Sequence, residues 1–175
     1  MPVHIALLRA VNVGGTGKLA MSELKALCEK AGFKDVKTYI QSGNVLFRSD
    51  LSAADAAKTL DGALAGIMGK VHGVMVRSRA ELEKIAADNP FPDAKPNYLM
   101  INFLPEKAPA DTLDKLVAPD GEEVHVADHE IYVHYPNGSG HSKFKLPALK
   151  QATSRNLNTV RKLAQLAAEM EENGD

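Results

Sequence analysis

The sequence has one cysteine, no tryptophan, and only nine aromatic residues, four Tyr and five Phe. A lone cysteine excludes an internal disulfide framework, and Cys28, next to Leu27 in a helical pattern, reads as a small core residue rather than a nucleophile. No run of 18 apolar residues occurs, which argues against a membrane-spanning helix. The N-terminal MPVHIALLRA lacks a basic n-region and turns polar after a few residues, so no signal peptide is read and a cytoplasmic setting is expected by default. Charge of one sign is also missing. With 21 Lys+Arg against 22 Asp+Glu, the net charge of −1 supplies no global field for nucleic acid or a membrane surface.

What is present suits a globular protein. The chain has 175 residues, 45% hydrophobic and 25% charged. That length buries about 70% of the unfolded surface, so folding needs neither a metal nor a disulfide. Val3 to Ala10 is a continuous apolar run and reads as a buried central strand. A helix follows, with Ser22 as its N-cap, Leu24, Leu27, Cys28 and Ala31 at helical spacing, and Gly32 past its end. Val36 to Gln41 and Asn44 to Arg48 form two strands around Ser42-Gly43, a tight hairpin. Ser52 to Met68 is helical, with Ala56, Leu60, Leu64 and Ile67 on one stripe, and Gly73 to Arg77 is a fourth strand. The order βαββαβ is that of a split βαβ, ferredoxin-like half.

The rest begins again. Arg79 to Asp88 is a short helix ending before Pro90 and Pro92. Asn97 to Leu104 is a strand, and Asp111 to Val117 a short helix. Glu122 to Ala127 and Ile131 to Tyr135 form a hairpin turning at Asp128-His129. Leu146 to Gln151 makes one helical turn, and a final helix runs from Asn156 to Glu172, capped by Thr153 or Ser154. The expected architecture is α+β: two ferredoxin-like halves packed together, with a C-terminal helix. Residues 1–77 form the first half and 78–142 the second, which a basic segment and helix, 143–175, complete.

In a split βαβ the first two strands are parallel and the third runs back between them. One sheet edge therefore gathers Arg9, Asn12, Gly14, Gly15, Gly17, Lys18, Gln41, Ser42, Gly43, Asn44 and His72. Glycines between Asn12 and Lys18 let backbone N–H groups surround an anion ahead of a helix, and Lys18 adds a full positive charge. The stretch is not a Walker A loop: Leu19 follows Gly17-Lys18, and Asn12 stands where the first glycine belongs. Gly15-x-Gly17-x-x-Ala20 is a degenerate dinucleotide fingerprint in a chain whose order is not doubly wound. The bland alternatives are a loop whose glycines only make turns, an Arg9 held in an ion pair, and a hairpin in which Gln41, Ser42 and Asn44 satisfy backbone groups.

From Ile131 to Ala168 there is no Asp or Glu, whereas Glu81 to Glu130 holds 12 acids against 4 bases. The acid-free block carries Lys143, Lys145, Lys150, Arg155, Arg161 and Lys162. At the start of the last helix Arg155, Asn156, Asn158 and Thr159 crowd the positive end of the dipole, where an anion is favoured. The alternative is a capped helix whose cations pair with the acidic middle. The six histidines are read as dispersed, and neither a metal nor a cofactor is expected. Gly-x-Ser-x-Gly is absent, and Ser42 has no evident base.

Taken together, Ala6-Leu-Leu-Arg9, Asn12-Val-Gly-Gly15, Met21-x-x-Leu24, Gly32-Phe33, Thr38-Tyr-Ile-Gln-Ser-Gly-Asn-Val45, Arg155-Asn-x-Asn-Thr159 and Lys162-Leu163 resemble a bacterial family, domain of unknown function 1697. The resemblance implies two ferredoxin-like halves and no assigned activity. It also implies an aromatic in the last block, where this chain has Leu157. Three functions are open: a small anionic ligand, phosphate- or carboxylate-bearing, held by Arg9, Asn12, Gly14, Gly15, Lys18, Gln41, Ser42 and Asn44, with Arg155, Asn156, Asn158 and Thr159 as a further wall; a module for single-stranded nucleic acid, which few aromatics and a pI near 6.6 disfavour; and a non-enzymatic protein that self-associates through its acidic and basic poles.

Overall fold

A computed structural model describes residues 1–9, 19–39, 43–69 and 73–173. By its internal contacts the chain divides into two units, Met1–Glu83 with Lys162–Asp175, and Lys84–Arg161. Together they hold two four-stranded antiparallel sheets and four α-helices among the described residues.

The first unit runs β1 (Val3–Leu8), α1 (Met21–Lys30), β2 (Lys34–Tyr39), β3 (Asn44–Arg48), α2 (Ala53–Met68) and β4 (Val74–Arg77), followed by the start of α3 (Arg79–Ala87). Its strands lie in the order β2-β3-β1-β4, every pair antiparallel. All six residues of β1 are buried, five of them apolar as a central strand requires, while His4 Nε2 lies 3.2 Å from the Ser49 carbonyl. Ala6 and Leu8 face one layer with Leu24 and Cys28 of α1 and Leu60 and Leu64 of α2. In that layer Phe33 stacks on Phe47, with centroids 4.0 Å apart. Ile5 and Leu7, on the other face of the sheet, are buried as well.

Local signals differ from the expectation at two helices. Helix α1 starts at Met21 with Ala20 as N-cap and no side-chain cap, so Ser22 sits inside the first turn. Burial of Leu24 and Cys28 sets the phase of this helix, and that outweighs a cap worth about 1 kcal/mol. In α2 the Ser52 hydroxyl accepts from the Asp55 N–H at 3.1 Å, but the buried stripe continues to Met68, and Ile67 is 55% exposed. Helix α3 has a reciprocal capping box: Glu81 N–H donates to Ser78 Oγ at 3.1 Å, and Ser78 N–H donates to the Glu81 carboxylate at 3.0 Å.

The second unit holds β5 (Leu99–Phe103), β6 (Glu123–Val126), β7 (Glu130–His134) and β8 (Thr153–Asn156), in the order β6-β7-β5-β8. Helix α4 (Leu157–Asn173) starts there, and its residues from Lys162 onward count with the first unit. Arg48 donates to the Met170 carbonyl, and Arg79 pairs with Glu171.

Two expectations fail in the second unit. Residues 111–117 are not a helix but successive turns, with N–H groups bonding three residues back (Thr112 to Pro109, Asp114 to Asp111, Leu116 to Leu113). Pro109 and Pro119 leave too short a span to nucleate an α-helix, and Val117 instead bridges Lys145. Thr153–Asn156 is a strand beside β5, not the entry to a helix. Its inward residues, Thr153 and Arg155, are buried and polar, so no apolar alternation announces it.

Burial pushes the Cys28 thiol up from 9.0 to about 12, helped by the charge of Glu29. The folded thiol therefore keeps its proton where the unfolded one loses it. Its contribution to stability is whole below pH 9 and is lost as pH rises toward 12. Cys28 should resist a thiol reagent at pH 8 until urea unfolds the chain, and Cys28→Ala should flatten the fall in urea midpoint between about pH 9 and pH 11. Truncating the stacked ring, Phe47→Ala, should cost about 3–5 kcal/mol in the same urea titration.

Candidate functional site

The polar residues fall into two groups, one in each unit. In the first, the apolar run of β1 ends at Leu8, and the half-buried Arg9 follows. A charged group there must reach the edge of the sheet, since desolvating it inside would cost several kcal/mol. Two backbone bonds fix what meets it. Leu8 N–H donates to the Gly43 carbonyl at 2.9 Å, and Arg9 N–H donates to the Gly73 carbonyl at 3.1 Å. The end of β1, the entry to β3 and the entry to β4 thus share one edge.

Glycine is required at both contacts. Gly43 has φ +81° and Gly73 has φ +94°, in the left-handed region. A Cβ on Gly73 would lie 3.8 Å from Arg9 Cδ, so the bare glycine backs onto the aliphatic stem of Arg9. Gly73 N–H donates to Asp61 Oδ1 at 3.2 Å, which brings a carboxylate from α2 to the same edge. Asp61 and Gly73 were not among the expected site residues. The signal was an acid immediately after Leu60 of the apolar stripe, which alternation alone does not single out.

Asn44 is fully buried, and its Nδ2 donates to the Tyr39 carbonyl at 3.1 Å. That contact serves the hairpin, where Tyr39 of β2 pairs with Asn44 of β3. Asn12, Gly14, Gly15, Gly17, Lys18, Gln41, Ser42 and His72 lie outside the described residues.

In the second unit, Arg155 sits on β8 opposite Ile101 and is only 6% exposed. Its Nη1 donates to Thr153 Oγ1 at 2.7 Å and to the Ser154 carbonyl at 2.9 Å. Burial pushes the guanidinium down to about 10, so it still carries its charge at neutral pH. Asn156, rather than Thr153 or Ser154, caps α4: its Oδ1 accepts from Thr159 N–H at 2.9 Å. Asn158 is exposed and Thr159 half-buried. Next to this strand, the buried Asn102 of β5 donates to the Ile131 carbonyl at 2.8 Å and accepts from the Ser154 hydroxyl. Sequence reading missed this polar link, because one Asn inside an apolar strand carries no periodic signal.

Among the described residues no three His, Cys, Asp or Glu side chains cluster to hold a metal. No helix is long and apolar enough to cross a membrane among them.

The family described as "Protein of unknown function (DUF1697)" matches residues 1–132. The chain belongs to this family. That DUF1697 match runs from β1 into the middle of β7 and so includes the whole Arg9 edge, while β8 and α4 lie beyond it. No curated protein matches the chain. Among solved structures it is similar to the conserved bacterial protein SP0830 from Streptococcus pneumoniae, at 25% identity and a TM-score of 0.77, over 94% of this chain and 98% of that one.

The cap assignment is open to a direct check. Asn156→Ala should destabilise the protein by about 1 kcal/mol, seen as a lower urea midpoint with an unchanged slope, while Ser154→Ala should leave the helical signal of α4 intact.

Proposed function

We propose that this chain binds a small anionic ligand, phosphate- or carboxylate-bearing, at the edge where β1 ends. The observation that carries this reading is the tie of Leu8 and Arg9 to Gly43 and Gly73. It draws three chain segments to a single cation, and two of them continue in sequence into polar stretches: Asn12 to Lys18 after Arg9, and Gln41-Ser42 before Gly43. Arg9 supplies a planar guanidinium suited to bidentate contact with carboxylate or phosphate. Asp61 bounds the site on one side and favours ligands that leave a hydroxyl or amide toward it.

The two strand orders, β2-β3-β1-β4 and β6-β7-β5-β8, support reading both units as ferredoxin-like. Single-stranded nucleic acid would need exposed aromatics on a sheet face. Here β1 is buried throughout and Phe33 and Phe47 stack in the core, which favours the small ligand. A cytoplasmic setting fits the one buried, free cysteine.

Thermal unfolding against inorganic phosphate, citrate and nucleotides tests the proposal. At a hundredfold excess over Kd a ligand stabilises by about 2.7 kcal/mol, roughly 5–10 °C for a chain of this size. Arg9→Ala should abolish the shift with the ligand-free midpoint within about 2 °C of the parent. A shift that survives Arg9→Ala refutes the assignment.

A further inference from the structure

The two sheets share a strand order but not a covering. In the first unit the β1–β2 and β3–β4 connections contain the ten-residue α1 and the sixteen-residue α2. In the second unit the corresponding connections, 104–122 and 135–152, contain turns and the 3-10 turn Pro147–Gln151. What covers that face of the second sheet is thin: in this layer Leu104, Ile131, Val133 and Leu146 are buried, while Tyr135, Phe144 and Leu149 are only partly so.

The two irregular connections are fastened to each other. Val117 N–H donates to the Lys145 carbonyl at 2.9 Å, and Lys145 N–H donates back to the Val117 carbonyl at 2.8 Å. Phe144 meets Tyr135 edge to face, with centroids 5.5 Å apart. Between them lies an open cleft of about 660 Å³, within the size range of small-molecule sites. Val117, Phe144 and Leu149 are part of its apolar lining, and the side chain of Val117 stays 47% exposed. Lys115, Lys145 and Lys150 stand at the same cleft, and none of its lining residues is acidic.

An apolar floor with cations and no carboxylate selects by both halves of a ligand. A free phosphate gains nothing from the floor, and an apolar cation is repelled by the lysines. We propose that this cleft binds an amphipathic anion: an apolar body of roughly ten carbons carrying one carboxylate, the body against Val117 and Phe144 and the carboxylate with Lys115 and Lys145. The site is independent of the Arg9 edge.

Isothermal titration of the full-length protein with decanoate, below its micelle concentration, tests the proposal, with decylamine as the charge-reversed control. Decanoate should bind once per chain, and decylamine should not bind. Val117→Asp, at an exposed position, should weaken decanoate at least tenfold with an unchanged unfolding midpoint. Lys115→Glu with Lys145→Glu should weaken it at least tenfold, since both charge-assisted contacts are replaced by repulsion. Arg9→Ala should leave the affinity as it was, which separates this cleft from the phosphate reading. No heat with decanoate at millimolar concentration, equal binding of decylamine, or binding lost in Arg9→Ala but kept in Val117→Asp would each overturn the proposal.

Discussion

Complete burial of β1 is the constraint on which the first unit depends. Its six residues, five of them apolar, are buried on both faces, so its pairing with β3 and β4 is fixed by side-chain burial as well as by hydrogen bonds. A one-residue slip would exchange Ala6 and Leu8, which meet the helices, for Ile5 and Leu7, which are larger in one case and differently placed in both. With the register held, Arg9, the residue after the strand, emerges at one defined place. The backbone bonds from Leu8 and Arg9 to Gly43 and Gly73 then follow, because those glycines stand at the entries to the neighbouring strands. Polar convergence at Arg9 is a by-product of packing an apolar strand in the middle of a sheet.

The second unit shows what changes when strand order is kept and the covering helices are not. Its central strand β5 carries the buried polar Asn102, which is tolerable only because its amide is bonded to both neighbours, Ile131 on β7 and Ser154 on β8. The layer over the opposite connections is built from turns and one 3-10 segment, and its apolar side chains are left half-covered. A shortage of helix in this unit and a cleft over its sheet are the same fact seen from two sides.

Much of this was legible in the sequence where burial and period agreed. The run Val3–Leu8, the stripe Ala56, Leu60, Leu64 and the hairpin turning at Asp128-His129 each follow one rule along their whole length. Reading failed where a tertiary partner supplied the logic. β8 alternates inward and outward as a strand must, but its inward residues are Thr153 and Arg155, so the alternation is hidden in polar side chains. Residues 111–117 look helical until Val117 is claimed by Lys145. At the candidate site, Arg9 stood out as a charge ending an apolar strand. Asp61 did not, because its role is set by Gly73, twelve residues further along and on another element.

The two arginines show why charge counting alone misplaces a site. In sequence both read as anion-facing, Arg9 at a strand end and Arg155 at the start of the last helix. Arg155 is buried, and Nη1 already donates to Thr153 and to the Ser154 carbonyl of its own strand, so an anion there must compete with internal acceptors and reach a desolvated group. Arg9 is half-buried at the end of β1, with Gly73 against its aliphatic stem. The acid-free stretch between Ile131 and Ala168 therefore divides by depth. At Arg155 the guanidinium is buried and turned to acceptors of its own strand, Thr153 and Ser154. At Lys145 the backbone does the holding through Val117, which leaves the ammonium group to act on whatever enters the cleft.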